Sequence, residues 1–249
     1  MGFMCPNGPA LDHPMADLLL AYAESGCTVE CGPDWTKEHI SQAINHGPHA
    51  SAAEPEAAKY AWAEAKEKEE EGYCTTFNWD TLKHNYPSQL KLSPIAAIPH
   101  KSRAYRLILD LSFGLRVGGE TKKSVNDTSS PAAPREALDY IGTTLPRIIH
   151  AVASAATDTP YLFAKADIKD GFWRIFVEKK GRWNFAYVLP KLNKSDSTHI
   201  VVPNSIQMGW VESMCVFCAG SETARDTAQK LMQSKKITTT STRAPYFTR

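Results

Sequence analysis

Asp167 stands at the end of an apolar run, Tyr161 to Ala166, and is followed by the compact segment Ile168, Lys169, Asp170 and Gly171 before aromatic and apolar residues resume from Phe172 to Val177. A carboxylate delivered by a strand to a tight turn is held at a defined point, which is what two neighbouring Mg²⁺ ions require of their ligands in nucleotidyl transfer. The same residues also fit a plain strand and turn in which aspartate is simply a turn former. Upstream, Arg106 lies in the short run from Tyr105 to Ser112, with Lys101 and Arg103 beside it. A planar guanidinium there suits phosphate, although Arg106 and Asp110 equally fit two polar positions on a half-buried strand.

Two cysteine patterns allow other chemistry. Cys27, Cys31, His46 and His49 come near a zinc-finger spacing, but the step between the histidines is short, so zinc and structurally incidental residues both remain open. Cys215 and Cys218 have no second pair and read as core positions of a helix. Six scattered cysteines in 249 residues do not form a secreted disulfide framework.

These residues need elements to hold them. Helices are expected over Met15 to Ser25, closed by Gly26, from near Thr36 to just before Gly47, and from Pro55 to Glu71, where the charge run Glu67 to Glu71 reads as a solvated face. Strands are expected over Leu92 to His100 and Tyr105 to Ser112, followed by a loop from Gly118 to Asp127. One long helix from Pro134 to about Ala155 aligns Leu138, Ile141, Leu145, Ile148, Ile149 and Val152 on one face, with Pro146 as a possible kink. Four strand-like runs follow: Tyr161 to Ala166, Phe172 to Val177, Trp183 to Leu189 and His199 to Val202. A helix from Gly209 to Met232 precedes a Thr-rich segment expected to be disordered. This order predicts an α+β fold with helices on one face of an antiparallel sheet.

Composition divides the chain. Residues 1–100 hold 6 Lys/Arg against 14 Asp/Glu, a net −8, and residues 101–249 hold 22 against 13, a net +9. The basic part attracts polyanions such as nucleic acid, and the acidic part repels them. The expected organisation is an acidic helical extension over 1–89, a functional unit over 90–232 and a tail over 233–249. No long apolar run or signal-peptide pattern is visible, so the expectation is a soluble intracellular protein, cytoplasmic or nuclear, with no membrane partner.

With the elements in order, Phe163 to Val177 resembles motif A of reverse transcriptases, where an aspartate at a strand end precedes an aromatic residue by five positions, here Asp167 and Phe172. Tyr105 to Ser112 resembles the fingers strand of that family, with Arg106 matching its arginine, and Ser124 to Asp127 resembles a loop that follows it in some retroelement enzymes. Val202 to Phe217 resembles motif B through Gly209, Trp210, Ser213 and Phe217. Met214 stands where the family usually has proline, and Met208 where many members carry an aromatic residue or glutamine.

The resemblance, over 90–232, implies a fingers and palm fold and RNA-directed DNA polymerase ancestry. It implies Asp167 as catalytic residue and Mg²⁺ ligand. It sets Arg106, Ile168, Lys169, Asp170, Gly171, Phe172 and Gly209 around an incoming dNTP, and Trp210 and Ser213 at an RNA or DNA template and primer. The family's second carboxylate motif, an Asp-Asp hairpin, has no counterpart after Gly209, where the acidic residues are Glu212, Glu222 and Asp226. The expectation is therefore a chain of polymerase ancestry that is catalytically incomplete. The alternatives are a non-catalytic nucleic-acid-binding module using Trp173 and Trp183, and a remnant that does not fold stably.

Overall fold

A computed structural model describes residues 13–155 and 167–233, so the expected strand Tyr161 to Ala166 and the expected disordered tail lie outside the described residues. Helix α1 (Ala16–Ser25) closes on Gly26, and helix α2 (Lys37–His46) starts where the Thr36 hydroxyl accepts the His39 N–H at 3.2 Å. A short α3 (Ala50–Ala53) leads into α4 (Pro55–Glu70), which has Pro55 in its first turn. Ala57, Ala61, Ala65 and Lys68 recur at helical spacing along α4 and are 0%, 0%, 3% and 7% exposed. Small side chains on this stripe bring α4 close to its neighbours. The expected solvated face of the charge run is thus interrupted by a buried lysine.

Strand β1 (Cys74–Asn78) follows, then a single turn α5 (Trp79–Leu82) and the hairpin of β2 (Ile95–Pro99) and β3 (Tyr105–Leu109), registered from Ile95 opposite Leu109 to Pro99 opposite Tyr105. The expected loop after residue 117 begins with a small hairpin, β4 (Arg116–Val117) and β5 (Glu120–Thr121). The expected long helix is broken into α6 (Glu136–Gly142) and α7 (Thr144–Ala153). Pro146 explains the break: it has no N–H for the Gly142 carbonyl, and its ring crowds that group. Leu145, Ile148 and Ile149, expected to pack, are exposed on α7.

Strand β6 (Tyr187–Val188), strand β7 (His199–Pro203) and helix α8 (Ser213–Gln233) complete the described elements. Phe172–Arg174 is a 3-10 turn where a strand was expected, and of the expected strand Trp183 to Leu189 the first part belongs to the 3-10 turn Gly181–Phe185 while Tyr187–Val188 is β6. Phe176 and Val177 pair singly with different segments, Ser205 and Cys27, so no ladder propagates through them.

The fold is α+β, with three small antiparallel sheets among the described residues where one was expected. In the largest, of order β1-β7-β6, β1 pairs with β7 from Cys74 opposite Pro203 to Asn78 opposite His199. Ile200, Val201 and Val202 of β7 are 0% exposed, so this strand is covered on both faces. Through this pairing the acidic extension supplies an edge strand to the sheet of the basic part. Helices α1 and α6 pack on α8, while α3 and α4 pack on β2 and β1. No described helix is long and apolar enough to cross a membrane.

His39 is 5% exposed and stacks on Trp35 with ring centroids 3.6 Å apart. Burial, reinforced by Lys122 and Lys91, pushes its imidazole from 6.5 down to about 4. A depressed folded-state pKa contributes stability that is present above pH 6.5 and lost as pH falls through about 4. His39→Phe keeps the stack and removes the titration. Its stability relative to wild type should therefore rise by on the order of 2 kcal/mol over this interval, read as the pH dependence of urea midpoints.

Candidate functional site

A cleft of about 870 Å³ lies between α4, the β2-β3 hairpin, the turn at 167–173 and the segment before α8. The β-hairpin presents Arg106 and Arg103 to it, and the Arg106 guanidinium reaches the Met208 thioether on the opposite side. Lys101 is exposed at the hairpin turn and does not line the cleft.

The turn supplies Asp167, Ile168, Lys169, Asp170, Gly171 and Phe172 as a continuous wall. Asp167, Ile168 and Lys169 are exposed; Asp170 is half-buried and adopts φ 55, the one positive φ at a non-glycine residue among those described. Its carboxylate accepts from the Lys68 ammonium at 3.2 Å. A β-carbon on Gly171 would come within 2.8 Å of the Phe217 ring, so the glycine lets the turn seat against α8 without displacing that ring. The Phe172 ring then packs on Phe217 at 5.2 Å between centroids. The Lys169 carbonyl accepts from Arg174 Nε at 2.8 Å, closing the turn from its far side.

The third wall is Gln207 and Met208, held by the backbone at Gly209. Its φ is 101°, and a β-carbon there would lie 3.1 Å from the Leu109 carbonyl oxygen at the end of β3. Asn126 fixes this segment: its amide donates to the Gly209 carbonyl at 2.8 Å, and its side-chain oxygen accepts the Val211 N–H at 3.0 Å. Sequence reasoning placed Asn126 in a loop of interest but assigned it no role. Its signal was a group with both donor and acceptor just after the Arg106 strand.

Trp210 and Ser213, the residues expected at template and primer, are each 2% exposed and do not line the cleft. The Trp210 indole donates to Ser129 at 2.9 Å and the Ser213 hydroxyl donates to the Gln207 carbonyl at 2.7 Å, so both hold the segment from beneath. Trp183 is also buried, packed on Phe77 at 5.4 Å, whereas Trp173 lines the cleft.

Other acidic groups have partners elsewhere. Glu212, 1% exposed, pairs with Arg135 at 2.6 Å and accepts the Ala132 N–H at 3.2 Å. Glu222 pairs with Arg225, and Asp226 accepts from His13 at 3.1 Å. None of the three lines the cleft. Glu64, on α4, does line it, and one of its carboxylate oxygens is buried without a hydrogen-bond partner; burial raises its pKa, opposed mainly by Arg103. Among the described residues no group of three or more His, Cys, Asp or Glu side chains is arranged to hold a metal ion.

The candidate zinc set is dispersed. Cys27 bridges to Val177 and Cys31 lies at Ser129, while the His46 and His49 rings flank Phe113 at 4.7 and 5.7 Å. Burial pushes the Cys27 thiol up to about 12, the reverse of what a metal-ligating thiolate needs. Cys215 and Cys218 are 0% exposed on α8, in the core as expected.

Fold and site together define an α+β protein with a mixed-charge cleft walled by four segments distant in sequence. Comparison with known protein families finds no match for this chain, and comparison with curated proteins finds none either.

Two consequences are measurable by urea unfolding. Gly209→Ala should cost about 1–3 kcal/mol, because a β-carbon at this φ strains the backbone and presses on Leu109. Arg135→Ala should cost about 3 kcal/mol by leaving the buried Glu212 carboxylate uncompensated. Glu212→Gln should cost less, since the Arg135 side chain, 59% exposed, is solvated without its partner.

Proposed function

We propose that this chain is a reverse transcriptase-like protein whose cleft takes a nucleoside triphosphate against nucleic acid, and that the chain as it stands binds without polymerising. The observation that carries the reading is the convergence of three segments, Arg106, the turn Asp167 to Phe172 and the Gly209 loop, on one cleft although 61 and 37 positions separate them in the chain. Arg106 and Arg103 supply planar donors suited to phosphate, and Lys169 adds a mobile cation at the rim. Phe172, braced by Phe217, offers an apolar platform for a sugar.

Catalysis asks for more than this. The family's chemistry needs at least two metal-holding carboxylates beside the primer hydroxyl and the leaving pyrophosphate. Here Asp170 is tied to Lys68, and the acidic residues after Gly209 are tied to Arg135, Arg225 and His13. Asp167 is left as the exposed carboxylate of the turn.

The direct test is fluorescence anisotropy of a labelled dTTP with Mg²⁺ at low salt, followed by primer extension on a primer-template. Saturable binding weakened about tenfold by Arg106→Ala is expected, since a charge-assisted phosphate contact is lost. No extension product is expected. Absence of nucleotide binding would sink the reading, and measurable extension would overturn the claim that the chain binds without polymerising. Binding to primer-template that falls steeply with salt, without nucleotide binding, would favour a nucleic-acid-binding module instead.

A further inference from the structure

We propose that Lys68, a residue of the acidic N-terminal part, is the positioning residue for the turn that carries Asp167. The functional consequence rests on the nucleotide reading above, but the structural role is independent of it. Lys68 continues the buried alanine stripe of α4, and its side chain is 8% exposed. A buried ammonium must be paired to be tolerated. Its partners are Glu71 Oε2 at 2.8 Å and Asp170 Oδ2 at 3.2 Å. Burial alone would lower its pKa; the hydrogen bonds to Glu71 and Asp170 outweigh this and keep the group charged above its ordinary range.

The partner that matters is Asp170. Its φ of 55 lies in the left-handed region, which aspartate enters more readily than most side chains but adopts as a single residue held by local partners. An anchored carboxylate is the visible restraint. The same end of α4 also grips the chain beyond the turn. The Tyr73 ring lies 6.1 Å from Trp173 and 6.2 Å from Phe176, its carbonyl accepts the Asn204 N–H at 2.7 Å, and the Lys68 ammonium stands 5.5 Å over that ring. Lys68 thus acts through Asp170 on the direction of Asp167, three residues before it, and of Phe172, two residues after it. The acidic region is by this account a working wall of the cleft.

Hydrogen exchange on the full chain without ligand tests the role. The amides of Arg174 and Ile175 close the turn on the Gly171 and Phe172 carbonyls at 3.3 and 3.2 Å, and they report on whether it is held. In Lys68→Met their exchange should quicken about tenfold, and Lys68→Arg should return it to within about twofold of wild type. Asp170→Asn, at a half-buried position, should reproduce the Lys68→Met effect even if the latter fails to fold. Glu71→Gln should leave exchange unchanged.

Affinity for dTTP with Mg²⁺ should fall about tenfold in Lys68→Met and Asp170→Asn and recover in Lys68→Arg. Unchanged exchange in Asp170→Asn would overturn the proposal. So would tighter dTTP binding in that variant, which is the outcome expected if Lys68 were a phosphate contact released from Asp170. If wild type binds no dTTP, the nucleotide reading falls while the exchange experiment still decides the role of Lys68.

Discussion

The antiparallel ladder between β1 and β7 is the constraint from which the rest of this structure follows. It joins residues 74–78 to residues 199–203 and closes a loop of more than a hundred residues, an entropic cost that grows only logarithmically with loop length. Burial offsets it. Ile200 and Val202 enter the cluster around Trp183, Leu90 and Leu92, while Val201 enters the cluster containing Phe185, Cys74 and the alanines of α4. Because β7 is covered on both faces, a one-residue slip would exchange the side chains of two different cores, so the register is strongly specified.

That ladder brings the two oppositely charged parts of the chain together, and α4 sits where they meet. Its alanines permit close approach to β1 and to the β2-β3 hairpin, and its polar residues Tyr60, Glu64, Glu67 and Lys68 line the cleft. The resulting site has mixed charge, with arginines from the hairpin opposite carboxylates from α4 and from the turn. Such a surface does not attract polyanions as strongly as the net charge of residues 101–249 suggests. Local pairing, above all that of Lys68 with Asp170, decides which charges are available.

Polar groups beneath the cleft hold its walls. Asn126 satisfies backbone groups on both sides of Trp210, Ser213 bonds to the Gln207 carbonyl, and Trp210 donates to Ser129. The bonds of Trp210 and Ser213 are shielded from solvent, where an unmade partner is costly, whereas those of Asn126 lie at the surface. The segment containing Gly209 is therefore rigid without being part of a helix or strand. Trp210 and Ser213, singled out by their motif positions, support this segment from beneath.

Local signals determined much of this protein in advance. Gly26, Thr36 and Pro55 bound their helices through backbone chemistry that acts within a few residues, and the short apolar run from Tyr105 to Leu109, bounded by charged turn residues, marks a strand. Arg106, the turn Asp167 to Phe172 and Gly209 were legible as candidates because their types and spacing carry chemistry along the chain. What only the tertiary structure decided was pairing at a distance. The split of the expected helix at Thr143 was half legible in Pro146. The 3-10 turns at Phe172 and Gly181 were not, since whether an apolar run becomes a strand depends on a continuous partner edge, and Phe176 and Val177 find two different ones. Lys68 could be suspected from its spacing with Ala57, Ala61 and Ala65, yet its meaning depends on Asp170, 102 positions away. Short-range rules see which residues share a helix face; they do not see which charge from elsewhere in the chain that face will meet.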